Sequence, residues 1–552
     1  MKNKFLMTTA LVFAATLTFA TASLASGWDN SSGNWQYLDK NGIAVTDAWR
    51  YSNGNWFYLD STGNLATNTL VEDNSNSKTK YYYVDQYGAM ITNTWKAIAK
   101  DDNNSDLDAE YWWYYFGNDG AAYTTKNELN TSDLKTINGF KYAFDDEGHM
   151  LYGWINETNV EQQDNDDTAW MTSKYYFNGW NDGHMQTGWM QKTVTTADND
   201  TETYWFYFDN DGKKISDKNH KKINGVYYHF AADGHMLDDW AVATNSVKDA
   251  GKASAASLSY LNKDGAERKN QWVWAVPDED YLNDDYNNDE FSWWYFNNGG
   301  KLISNEIKKI NSKKYAFDEF GRMKTGFVAD IDGNIVALDD ADDLSRDNFL
   351  KGDLSEKDNK SNTFDRTSNT LYFFNQNEET DGSMQKGYVT VSLNDNDYQF
   401  YFNTSNGAAY DGWVSKIKKY VANGLVVAPT ADDNSNYGAV VLKDDKVTDL
   451  VFGSDTVGHV LINTSGTVVK NKNKLKDKND AYYVINKDGI VLAYFETEDA
   501  YKDFLSYEYT KTNGDTDTKY VTVSSAMLKA DSPAAFESMV QDAIDKANKG
   551  KN

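Results

Sequence analysis

Along this chain, short aromatic or β-branched runs alternate with polar turns, and the alternation is locked to a glycine. Two or three apolar residues are followed by Asn, Asp, Ser or Lys, and a glycine stands four places after the last apolar one. The unit is seen in NWQYLDKNG (Leu38 to Gly42), NWFYLDSTG (Leu59 to Gly63), YYYVDQYG (Val84 to Gly88), WWYYFGNDG (Phe116 to Gly120) and KYAFDDEG (Phe144 to Gly148). The offset returns at Phe208, Phe230, Leu261, Phe296, Phe317, Ile462 and Ile485, with looser copies at Phe177 to Gly183, Phe374 to Gly382 and Phe402 to Gly407. Many copies continue with Met two places after the glycine and close on an aromatic: Trp154, Trp189, Trp240, Phe327 and Tyr388.

Aromatic and β-branched residues favour strands, and Asn, Asp and Gly supply the positive φ of tight turns, so each unit predicts a β-hairpin. A lone hairpin is marginal in water, and each must therefore bury its apolar face against its neighbours. The expected fold is all-β, an elongated solenoid of stacked β-hairpin repeats with a short C-terminal helix. That helix is predicted from Ser532-Pro533 and the spacing of Phe536, Val540, Ala543, Ile544 and Ala547. Residues 27–327 read as aromatic hairpin repeats, 328–370 as an irregular acidic insert, 371–495 as degenerate hairpin repeats, and 496–552 as a C-terminal region carrying the helix. Acidic stretches such as Lys100 to Glu110 and Asn156 to Asp167 precede a hairpin's first strand and read as exposed loops.

Composition narrows the function. The 552 residues carry a formal net charge of -29, and phosphate binding needs a basic face, so nucleic acid is not an expected partner. With no cysteine, stability owes nothing to disulfides. Lys2 and Lys4, the apolar run from Phe5 to Ala20, and the small residues Ala22, Ser23 and Ala25 predict a signal peptide over residues 1–25, with the mature chain beginning near Ser26. No second long apolar stretch and no sorting motif with a hydrophobic tail follow. The expectation is a secreted protein with no membrane span after cleavage, whose retention at a surface is non-covalent.

The opening units, GWDNSSGNWQYLDKNG and AWRYSNGNWFYLDSTGN, resemble the choline-binding or cell-wall-binding repeats of Gram-positive surface proteins. The shorter units with KTING, KKING or KKINS resemble related repeats of glucan-binding domains and clostridial toxin tails. The resemblance implies ligand cages made of a pre-turn Trp, a hairpin Trp and a Tyr of the next hairpin. Carried onto this chain, the first is Trp28, Trp35 and Tyr58, and the second is Trp49, Trp56 and Tyr83. Trp95 with Trp113 and Trp189 with Trp205 form later pairs, with Ala143 and His229 in the place of Tyr58; the pattern departs likewise at Trp240 and Trp293.

A quaternary ammonium has no N–H to donate, so its recognition rests on the negative faces of rings. Repetition then builds avidity for a polymer that carries many such groups. A sugar is the rival ligand, since rings also stack on a pyranose face while Asp, Asn and Gln bond its hydroxyls. The expected partner is thus teichoic-acid choline of the cell wall, or a glycan. A structural spacer, an attachment subunit and a homodimer formed through the C-terminal part stay open. Most other rings, among them Tyr82, Tyr142, Phe144, Phe230 and Phe317, read as core.

No catalytic residue, metal ligand or cofactor is assigned, and the expectation is that the protein is not an enzyme. His149, His184, His235 and His459 each follow a turn glycine and read as repeat features, while His220 and His229 lie near no nucleophile motif. DNDG at Asp209 and DIDG at Asp330 lack the spaced ligands of a calcium loop. The 83 acidic residues are spread too evenly to single out a glycosidase pair.

Overall fold

The computed structural model describes residues 26–75, 78–100, 111–125, 128–158, 160, 166–242, 254–340, 343–357, 359–360, 362–377 and 381–549. The signal peptide expected over residues 1–25 lies outside them, as do the insert at 101–110 and most of that at 159–165. The described chain divides into two compact units. One runs to Asp238 and takes in Lys263–Ala266; the other begins at Asp239 and holds the rest.

The first unit is a succession of two-stranded antiparallel hairpins, from Gly27–Asp29 with Gln36–Leu38 to Lys218–Ile223 with Val226–Phe230. Their turns explain the glycine offset. In the second hairpin the Asp60 carboxylate accepts the backbone N–H of Thr62 at 2.8 Å and of Asn64 at 2.9 Å, and Gly63 N donates to the Asp60 carbonyl at 2.9 Å. Gly63 has φ +84, and a Cβ there would lie 2.9 Å from that of Ala44. An acceptor side chain just after the strand and a glycine three places later are therefore both required.

Stacking runs through one recurring hydrogen bond. The residue two places after each turn glycine donates its N–H to a carbonyl of the preceding hairpin: Leu65 to Trp35 at 2.7 Å, Met90 to Trp56 at 2.9 Å, Met150 to Trp113 at 2.7 Å and Met236 to Trp205 at 2.7 Å. The last apolar residue of each unit forms the core. Leu59, Val84, Phe116, Phe144, Phe177, Phe208 and Phe230 have no exposed surface.

The second unit opens with two more such hairpins, Asp239–Val242 with Leu258–Leu261 and Gln271–Ala275 with Ser292–Phe296, widens into sheets of three to five strands, and returns to a hairpin at Ser506–Thr510 with Thr516–Tyr520. The segment 328–370, read from the sequence as an irregular acidic insert, contributes strands Gly326–Ile331 and Asn334–Ala337 and helix Arg346–Lys351. Its Ala329, Val336, Phe349 and Leu354 join Phe373 and Phe400 in one apolar core. The C-terminal helix is present at Pro533–Lys549. Ser532 Oγ accepts from Ala535 N at 3.2 Å, and Phe536 and Val540 are buried against Leu492, Leu505 and Met527. Among the described residues, no helix is long and apolar enough to cross a membrane.

Candidate functional site

Strand register decides which rings meet. In the second hairpin Trp49 stands opposite Tyr58, and Tyr51 opposite Trp56. Trp49 and Trp56 are thus diagonal neighbours on one face, within reach of each other's large side chains. The next hairpin places Tyr82 against Trp49, with ring centroids 5.1 Å apart at 66°. Between them lies a cavity of 290 Å³ lined by Trp49, Trp56, Tyr82, Met90 and Asp119. Trp56 keeps 44% of its surface exposed, so one wall of the cavity faces solvent.

The same register recurs three times. Trp95 lies opposite Tyr115 and Ala97 opposite Trp113; the two tryptophan rings are 6.4 Å apart, and Tyr142 packs on Trp95 at 5.0 Å. Trp189 is 6.2 Å from Trp205 and 4.8 Å from Tyr228. Trp272, in the second unit, is 6.2 Å from Trp293 and 4.8 Å from Tyr315. The ring pairs meet edge to face, a favourable arrangement of their quadrupoles. Trp205 is 40% exposed, whereas Tyr142 and Met150 are buried, so the Trp95 cluster is more closed than the Trp49 and Trp189 clusters.

The structure corrects the third member of each expected cage. Tyr83 is 5% exposed and donates its phenol to Asn68 Oδ1 at 2.8 Å, and the ring brought to Trp49 and Trp56 is that of Tyr82. Tyr58 packs on Trp49 within its own hairpin at 5.1 Å, and Phe57 takes the expected place beside Trp28 at 5.3 Å. Trp35 closes the first hairpin, its carbonyl accepting from Leu65. Successive side chains of a strand point to opposite faces, so an error of one residue exchanges a site ring for a core ring. The same shift removes the obstacle of Ala143 and His229, because the rings brought to Trp95 and Trp189 are those of Tyr142 and Tyr228. Tyr82 and Tyr142, read from the sequence as core, thus belong to the clusters.

Trp272 was missed because the loop holding helix Asn283–Asn287 separates it from Trp293. A count back from the glycine finds every second tryptophan: Trp293 stands seven residues before Gly300, as Trp56 does before Gly63. The cluster tyrosine stands six before the following glycine, as Tyr82 does before Gly88 and Tyr315 before Gly321.

Three of the histidines after turn glycines serve their turns. His149 Nδ1 lies 2.7 Å from Asp145, His184 Nδ1 2.6 Å from Asp182, and His235 Nδ1 2.6 Å from Asp233.

One junction is filled from within the chain. Trp154 packs against Phe206 at 5.2 Å, but Lys174 stands in the place of the second tryptophan and Lys214 in that of the methionine. Lys214 is 5% exposed. Its ammonium lies 5.3 Å from the Trp154 ring centroid and donates to the carbonyls of Trp170 and, at 2.6 Å, of Asp233. Burial pulls its pKa down to about 8, against the opposing charge of Asp233.

Residues 25–70 match the choline-binding repeat family. That segment carries a choline-binding repeat. The chain is 26% identical over 310 residues to glucosyltransferase-S of Streptococcus mutans, a match covering 56% of this chain and 15% of that enzyme. Among solved structures, the modular autolysin LytC of Streptococcus pneumoniae in complex with a synthetic peptidoglycan ligand is similar at a TM-score of 0.30 and 19% identity, over 56% of this chain and 54% of that one. CbpJ of the same species matches at a TM-score of 0.26 and 14% identity, over 70% of this chain and all of that one. The expectation that the protein is not an enzyme is overturned by the match to a glucosyltransferase, 15% of whose length is covered. The segment matched to the choline-binding repeat holds the first two hairpins, in which Trp49 and Trp56 stand diagonally.

Proposed function

We propose that this protein binds the cell wall by holding choline groups of a wall polymer in the aromatic clusters between its hairpins. The observation that carries the reading is the fourfold recurrence of two tryptophans and a tyrosine in one register, centred on Trp49, Trp95, Trp189 and Trp272. Three rings around a trimethylammonium supply roughly 0.5–2 kcal/mol each, which sums to a site of about millimolar strength. Secretion, expected from residues 1–25, would bring the clusters to the wall.

Glucan is the second reading, favoured by the sequence match to glucosyltransferase-S. Calorimetric titration of the full chain with choline chloride and with a panel of glucans separates the two. Saturable choline binding that weakens in Trp56→Ala and Trp205→Ala is the expected result. Glucan binding without a choline signal would replace choline with sugar, and no heat with either ligand would sink both readings.

A further inference from the structure

Each complete cluster draws on a third hairpin. The turn glycine two hairpins on packs against the cluster methionine: Gly120 on Met90, Gly183 on Met150, Gly265 on Met236 and Gly382 on Met323. The residue before each of these glycines is an aspartate, namely Asp119, Asp182, Asp264 and Asp381. Asp119 lines the Trp49 cavity directly. Burial raises the phenol of each cluster tyrosine, and the aspartate raises it further: Asp119 on Tyr82, Asp182 on Tyr142, Asp264 on Tyr228 and, opposed by Lys313, Asp381 on Tyr315.

Aspartate is also a good turn former, so its presence alone decides nothing. The incomplete clusters supply the contrast. Beside Trp28 the methionine is replaced by Leu65, which packs on Gly88, and Tyr87 stands in the aspartate's place. Beside Trp240 the corresponding residues are Leu302, Gly321 and Phe320. The four complete ring sets carry a carboxylate there; of the incomplete ones, those of Trp28 and Trp240 have an aromatic and that of Trp154 keeps an aspartate, Asp233. The Trp154 junction shows what such a place receives, for there the aspartate is Asp233 and the Lys214 ammonium occupies the space beside the ring.

We propose that Asp119, Asp182, Asp264 and Asp381 are the specificity-determining residues of the clusters, setting a preference for a cationic ligand over a neutral one of the same shape. This rests on the choline reading and deepens it, because rings alone would accept an uncharged head group. A single carboxylate at the mouth of a solvated site changes affinity for a monovalent cation by about threefold to tenfold.

The test compares the full chain with a D119N/D264N variant by titration with choline and with its neutral carbon isostere, 3,3-dimethylbutan-1-ol. Both aspartates accept a backbone N–H, from Ala121 and Ala266 at 3.1 Å, which an asparagine oxygen can also accept, so the turns persist. The expected result is a threefold to tenfold loss of choline affinity at the two affected clusters, with isostere binding unchanged and a shallower dependence on salt. Equal weakening of both ligands, or undiminished choline binding, overturns the inference and leaves the choline reading intact. Wild-type chain that binds neither ligand overturns the choline reading itself, and the inference with it.

Discussion

Tyr82 and Tyr83 are neighbours of identical chemistry with opposite duties. Tyr82 faces the Trp49 cavity, while Tyr83 is buried and hydrogen-bonded to Asn68. Tyr83→Ala is expected to cost about 3 kcal/mol of stability by emptying core volume, and Tyr82→Ala much less. Choline affinity at the site should fall about tenfold in Tyr82→Ala. Thermal melts beside calorimetry check both, and equal effects of the two changes would refute the assignment. Lys214 makes a second prediction. Its pKa is lowered from the ordinary 10.5 to about 8, so the folded state binds this proton less tightly than the unfolded chain. The buried ammonium is a liability below pH 8, and stability is recovered as pH rises from 8 towards 10.5. Relative to Lys214→Met, the wild type should gain roughly 3 kcal/mol across that window in urea denaturation. A constant difference would mean that the ammonium is not desolvated.

At the scale of elements, the hairpin was legible because its turn chemistry is local. The acceptor after the strand, the glycine three places later and the ring-rich strand all lie within nine residues of sequence. What escaped was register. A seven-residue spacing between tryptophans marks only the tight hairpins, and a long loop hides the pair Trp272 and Trp293 although their cross-strand relation is unchanged. The segment 328–370 escaped for another reason: its strand Gly326–Ile331 pairs with Thr370–Phe374, a partner that no local repeat reveals. The turn glycine is itself testable. Gly120 has φ +80, and a Cβ there would meet Met90 at 2.4 Å. Gly120→Ala should therefore lower stability by about 1–2 kcal/mol and, by displacing Met90, weaken choline binding at the Trp49 cluster. A melt and a titration identical to wild type would count against both roles.

For the whole molecule, the first unit holds three complete clusters and the second holds one, that of Trp272. Millimolar sites repeated along one chain give strong retention on a surface dense in choline, since each engagement raises the effective concentration for the next. With a net charge of -29, adhesion to an anionic polymer without choline should be poor at low salt. On an immobilised choline matrix the protein is expected to be retained in moderate salt and released by free choline at tens of millimolar. Release by salt alone would indicate simple ion exchange.

Each complete cluster takes its parts from three successive hairpins, so that Trp49 and Asp119 line one cavity although they are far apart in sequence. A bound head group would therefore act as a rivet across the stack. Under the shear that a cell surface meets, hairpins would peel away one at a time from the free chain, whereas the occupied chain would yield in longer steps and at higher force. The polymer that anchors the protein would then also toughen it.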